Sequence, residues 1–324
     1  MKKSLIALAA LATLAAAGTA SAQSSVTVYG IVDLSVGSQE VNGVSTTQMS
    51  SGDLSTSRLG FRGTEDLGGG LRANFQLEAP LTVDDGNIGG LRFTRASWVG
   101  LSGGFGAVRM GLMNSAYKDV FDLGQSQNLY DSVFSPYNVA YGGIGQYTGR
   151  PGNTLRYDTP SFGGVSASAN YTFSEDTGAQ IGALNVRYTG GPLAVGVAIQ
   201  NQRPDNVANN TDHTILSASY DFGVARISGS YQLVDTDAGN EDKELSLGVT
   251  VPFGAFTVSA GYARGDSENA AGATVYEGSA FALGGTYALS KRTTVYVAYL
   301  DGERETAGVK TDNGRYAMGL RHSF

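Results

Sequence analysis

Apolar and polar side chains alternate from Val26 to Val36. Val26, Val28, Val32, Leu34 and Val36 fall on one parity, and Thr27, Tyr29, Asp33 and Ser35 on the other. A pleated strand sends successive side chains to opposite faces, so this pattern predicts a two-faced β-strand. Comparable segments recur near 54–63, 70–80, 91–101, 105–112, 153–159, 163–173, 182–189, 192–201, 212–221, 223–233, 243–251, 254–264, 277–287, 292–301 and 314–324. With the first they make sixteen candidate strands. In one, Leu71, Ala73, Phe75, Leu77 and Ala79 oppose Arg72, Asn74, Gln76 and Glu78. In the last, Tyr316, Met318, Leu320, His322 and Phe324 oppose Arg315, Arg321 and Ser323.

The links between these segments alternate in length. Short ones lie at 102–104, 190–191, 221–223 and 252–253; long ones near 37–53, 81–90, 113–152, 174–181, 202–211, 234–242, 265–276 and 302–313. A soluble sandwich, with the apolar parity as its core, has no reason to keep its long loops at one end. A membrane barrel does, with short turns at one rim, longer loops at the other and an even strand count. There the apolar parity meets lipid, the polar parity meets water, and closure leaves no sheet edge unpaired in hydrocarbon. Sixteen to eighteen strands enclose an aqueous lumen rather than a packed core. The expected fold is therefore all-β, a 16-stranded antiparallel transmembrane barrel.

The stretch from Met113 to about Gly152 shows neither a strand period nor a convincing helical one. A run of roughly 40 residues without regular structure is uncommon in a compact domain and is usually functional. It carries Asp119, Asp122 and Asp131 among many aromatics, and is expected to fold inside the barrel. Aromatics near strand ends, namely Phe61, Trp98, Tyr220, Phe222, Phe253, Tyr287, Tyr296, Tyr299 and Phe324, suggest the girdles that mark membrane interfaces.

Composition narrows the class further. Lys2 and Lys3, the apolar run Leu5–Ala17 and the Ala20-Ser21-Ala22 site predict a secretory signal over residues 1–22, leaving 23–324 as the barrel. Glycine, at 46 of 324 residues, suits many tight turns, and the chain contains no cysteine. Net charge is −7, or −9 without the two leader lysines, which argues against a nucleic-acid partner. Enzyme motifs such as G-x-S-x-G, H-E-x-x-H and the Walker loop are absent. His213 is expected to be solvated at a loop–strand junction and His322 to lie at the interface. Acids crowd the long loops without a D-x-D-x-D-G spacing, so no structural metal and no cofactor are expected.

Five stretches, SSVTVYG (24–30), SRLGFRGTEDLGGGL (57–71), VGLSGGFG (99–106), RYDTPSFGG (156–164) and the ending GLRHSF (319–324), resemble Gram-negative general porins of the betaproteobacterial and neisserial type. The resemblance spans essentially the whole chain after the leader. It implies a cell outer-membrane location, a homotrimer, and a third loop folded inward to narrow the pore. It makes Phe324 the terminal aromatic signal for membrane insertion. It also points to Arg58, Arg95 and Arg156 as constriction residues. The central loop departs from the family in length and sequence.

Parity places Arg58 and Arg62 together, opposite Leu59 and Phe61. It sets Arg95 against Ala96 and Trp98, Arg109 against Val108 and Met110, and Arg156 with Asp158 against Leu155 and Tyr157. A charge facing lipid at the midplane costs about 2–4 kcal/mol, so the lumen is the expected side. Facing Asp119, Asp122 and Asp131, these arginines would set a transverse field favouring anions. The expected function is passive diffusion of small hydrophilic solutes and ions. The alternative is a solute-specific channel with Tyr130, Phe134, Tyr137, Tyr141 and Tyr147 as a binding track. Lipopolysaccharide is the expected lipid neighbour of the acidic outer loops.

Overall fold

The computed structural model describes residues 25–86, 90–125, 132–141, 146–175, 180–204 and 210–324. The expected leader, Tyr130 and Asp131 lie outside the described residues. Those described form seventeen strands and two helices. The first strands are β1 (Ser25–Val41), β2 (Val44–Ser51), β3 (Arg58–Gly68), β4 (Leu71–Pro80), β5 (Ala96–Gly103) and β6 (Gly106–Leu112). Helices α1 (Ala116–Gly124) and α2 (Tyr137–Ala140) follow. Then come β7 (Thr154–Asp158), β8 (Val165–Thr172), β9 (Gln180–Gly190), β10 (Leu193–Arg203), β11 (Thr211–Asp221) and β12 (Arg226–Thr236). The last are β13 (Glu241–Phe253), β14 (Phe256–Glu268), β15 (Thr274–Ala288), β16 (Thr293–Thr306) and β17 (Val309–Ser323).

Every pairing is antiparallel, and all join chain neighbours except β1 with β3 and β1 with β17, the last of which closes the ring. The upper half of β1 pairs with β2 and its lower half with β3. β2 and β3 are thus one wall strand interrupted by residues 52–57, and the barrel has sixteen. The seam ends on Phe324, whose backbone exchanges two hydrogen bonds with Gly30.

The burial pattern inverts that of a soluble protein. Buried side chains on the strands are largely polar: Asp33, Asn185, Gln200, Gln232 and Ser246 are each under 4% exposed. Their apolar neighbours of opposite parity stand out, as with Val26, Met110, Val197, Leu216 and Met318. An outward apolar band this continuous fits a lipid solvent. Tyr220, Phe222, Phe253, Phe256 and Tyr287 stand exposed near the short turns, as an interfacial girdle would.

Several expectations need correction. The links at 37–53 and 302–313 are not loops, because β1, β2, β16 and β17 run on into two-residue hairpins. One turns on Asn42-Gly43 and the other on Ala307-Gly308, all four residues at positive φ, the backbone that suits a tight strand reversal. Trp98 and Tyr296 are not girdle residues. Tyr296 is 5% exposed and donates to Asp33 across the seam at 2.7 Å. It lies three residues from the outward Tyr299 in one strand, so the two cannot share a face. His213 is 1% exposed within β11, with its Nε2 3.0 Å from Gln202 Nε2.

Helix α1 is also a departure from the expected absence of helical signal. Ser115 caps it by accepting from the Lys118 amide, and Ala116, Tyr117, Val120 and Gly124 form its buried side. That side docks on the polar face of β9–β12, beside Ala183, Ala198 and Ile215.

Candidate functional site

The central cavity of the barrel has a volume of about 750 Å³. One side is wall: Arg58 (β3), Gln76 and Glu78 (β4), Arg95, Trp98 (β5), Arg109 (β6), Arg156 (β7) and Arg321 (β17). The other is the segment after β6, contributing Asn114, Lys118, Asp119, Phe121, Asp122 and Arg150. Seven cationic side chains therefore face three carboxylates.

Each carboxylate is already engaged. Glu78 accepts from Arg95 Nε at 2.7 Å and from the Tyr29 hydroxyl at 2.8 Å, with Arg58 Nη1 3.8 Å away. Asp119 accepts from Arg156 Nη2 and lies 3.8 Å from Arg187 Nη1. Asp122 takes the Lys118 ammonium at 2.5 Å, one helical turn away. Even with Asp158, which holds Arg109 and Arg156, four carboxylates stand against seven cations, so the cavity keeps an excess of positive charge.

Arg156 is the best-fixed cation. It is 3% exposed and donates from Nε to Asp158 at 3.0 Å and from Nη1 to the Asn114 carbonyl at 2.8 Å. Arg109 donates to the other oxygen of Asp158 at 2.5 Å, and its guanidinium lies 5.3 Å from the Trp98 ring centre. The cross-strand partner of Arg109 is Gly100, where a Cβ would stand 2.7 Å from the Arg109 Cγ. A bare backbone there lets the arginine stem lie flat.

The segment after β6 is held at two places. Around α1, the Ala116 amide donates to Asn170, Asn185 donates to the Ala116 carbonyl, and the Tyr117 hydroxyl donates to Gln232 at 2.8 Å. Burial keeps the Tyr117 phenol well above its usual pKa range, so it remains a donor. Around α2, Phe134 and Val139 join Leu54, Ala280, Ala298 and Ala317 in an apolar cluster. Tyr276 there donates to the Val139 carbonyl at 2.5 Å.

Of the residues singled out from sequence, Arg58, Arg95, Arg109, Arg156, Asp119 and Asp122 are brought to this cavity. Arg62 is not. It lies four residues down β3 from Arg58, stacks on Tyr29 at 5.1 Å and lines a smaller pocket toward the short-turn end. Parity misjudged Trp98 but not Arg95: both line the cavity, because Arg95 precedes the first paired residue of β5 and so escapes the alternation counted from Trp98. Lys118, Arg150, Arg321 and Trp98 were missed as site residues. The first two lie in the segment with no legible period, whereas the parity of Arg321 already marked it. The described members of the aromatic track do not line this cavity: Phe134 and Tyr141 are buried, and Tyr137 stacks on Tyr141 at 5.1 Å.

A closed barrel with a polar, charged interior and an apolar exterior defines a membrane channel. The chain belongs to the Gram-negative porin family, whose model matches residues 7–307. It is 39% identical, over the full length of both chains, to outer membrane porin protein 32 of Delftia acidovorans. It is 32% identical, again over both full lengths, to the major outer membrane protein P.IB of Neisseria meningitidis serogroup A. Among solved structures, an anion-selective porin from Comamonas acidovorans superposes with a TM-score of 0.80 at 32% identity, covering 93% of this chain and all of that one. The trimer form of OmpT from Vibrio cholerae shares the fold, with a TM-score of 0.74 at 18% identity over 93% of this chain and 99% of that one. This protein is thus an outer-membrane channel and not an enzyme.

Proposed function

We propose that this porin is a general diffusion channel for small hydrophilic solutes with a mild preference for anions. The observation that carries the preference is the imbalance of seven cations over four carboxylates, Asp158 included, around one cavity. Fixed guanidiniums stay charged at any physiological pH and attract anions into a water-filled gap. On this reading the segment 113–152 is the inward loop that narrows the pore. Arg58, Arg95, Arg109 and Arg156 form its positive wall, and Asp119 and Asp122 its acidic counterpart. The relationship to an anion-selective porin from Comamonas acidovorans supports the same sign.

The channel is further read as a homotrimer, as OmpT of Vibrio cholerae is in its trimer form, set among lipopolysaccharide. Export through a cleaved leader at residues 1–22 and recognition of Phe324 during insertion complete the proposal. Reconstitution in planar bilayers tests it. Stepwise conductance with a reversal potential displaced toward chloride in a potassium chloride gradient is expected. A silent folded protein, or a potential displaced toward potassium, would overturn it.

A further inference from the structure

The cavity contains two aromatic rings that the diffusion of inorganic ions does not require. Trp98 reaches in from β5 and Phe121 from α1, and both are part-exposed. Each has a cation near its ring: the Arg109 guanidinium is 5.3 Å from the Trp98 ring centre, and the Lys118 ammonium is 6.0 Å from that of Phe121.

The Trp98 platform is built rather than incidental. Its arginine is fixed on the far side by Asp158 at 2.5 Å, and the stem crosses Gly100, where any side chain would collide with it. Trp98 also borders the smaller pocket beneath, so the indole stands where the cavity continues toward the short-turn rim. Arg58 and Arg95 line the same cavity. A water-swept lumen gains nothing from an exposed indole by itself, since apolar surface in contact with water is unfavourable. An indole with one guanidinium beside it and two more in the same cavity does match a solute with a flat π face and a carboxylate.

We propose that Trp98, with Arg109 and the neighbouring Arg95, forms a weak subsite for aromatic carboxylates in the lumen. This rests on the anion-preferring reading above and specifies one class of anion. The ring lies against the indole while the carboxylate meets the guanidiniums. Occupancy is brief, since conduction requires binding weak enough to leave. The same face offers no stacking to a saturated acid of equal charge and size, because such an acid has no π system.

The experiment uses the intact porin in planar bilayers and in detergent. Chloride current is recorded while benzoate, cyclohexanecarboxylate or acetate is added. Trp98 is the sole tryptophan of the chain, so its fluorescence reports contact directly. Benzoate is expected to block saturably at concentrations about fivefold lower than cyclohexanecarboxylate, within the range that aromatic stacking supplies, and to quench the fluorescence. Trp98→Leu should remove the difference between the two acids and Trp98→Phe should restore most of it. Equal block by both acids in a chloride-preferring wild-type pore refutes the subsite alone, as does a difference that survives Trp98→Leu. A wild-type pore preferring potassium refutes the anion reading and the subsite with it.

Discussion

Arg156 on β7 donates from Nη2 to the carboxylate of Asp119 on α1, so one guanidinium ties the barrel wall to that helix. The same side chain holds Asp158 on its own strand and the carbonyl of Asn114 just before the helix. Position and charge are therefore coupled: whatever moves the helix also moves the field.

Asp119→Asn separates these roles. It removes a negative charge from the cavity and leaves Arg156 with Asp158 and Asn114. Chloride preference should rise, and single-channel current should become noisier as α1 loosens. Losing a hydrogen bond to a charged group costs about 1.5–3 kcal/mol. The reversal potential in a salt gradient checks the sign, and a displacement toward potassium would contradict it.

Replacing Arg58 and Arg95 together by Gln should act in the opposite direction. Glu78 then keeps only its bond from Tyr29 and presents its charge to the pore. A unit charge at 4 Å in bulk water is worth about 1 kcal/mol, so the chloride-to-potassium permeability ratio should fall by about three- to fivefold. Bi-ionic potentials measure that ratio.

The wall is thinned where α2 docks. A Cβ on Gly265 would stand 2.6 Å from the Ala140 carbonyl oxygen, and one on Gly278 would stand 2.8 Å from that of Val139. Gly265→Val should push α2 off the wall at a cost of about 1–3 kcal/mol. The barrel itself, paired on both sides of β14, should still form. Faster limited proteolysis between residues 132 and 141, with heat-modifiable gel mobility retained, is the expected result.

Tyr117→Phe deletes the hydroxyl that Gln232 accepts from. The Gln232 side chain is 1% exposed. Its oxygen would be left buried without that donor. The cost should be about 1–3 kcal/mol, seen as a thermal midpoint lower by about 2 °C or more.

The period-two alternation made most wall strands and their facing legible, because a barrel in lipid demands strict parity over every crossing. Reading failed where that demand lapses. Above the lipid band, β1 and β17 extend into polar hairpins whose outward residues are no longer apolar, so they looked like loops despite the Asn42-Gly43 signal. At Arg95 the chain enters β5 irregularly, so parity counted between Arg95 and Trp98 kept the face of the arginine and reversed that of the indole. His213 and Tyr296 looked ordinary in sequence because only the folded loop and the closed seam bury them. Helix α1 has just one short buried side, Ala116 to Gly124, and its partners lie about 70 to 115 residues away on β9–β12. No local pattern carries that docking.

The central claim is that the polar parity faces pore water and the apolar parity faces lipid. Gln76 and Leu77 are neighbours in β4 on opposite parities, and Gln76 lines the cavity. The chain has no cysteine of its own, so a single one can be placed at either position. Adding a negatively charged, membrane-impermeant thiosulfonate to the water should lower the conductance and chloride preference of Gln76→Cys, and leave Leu77→Cys unchanged. Modification of Leu77→Cys with Gln76→Cys inert would contradict the account.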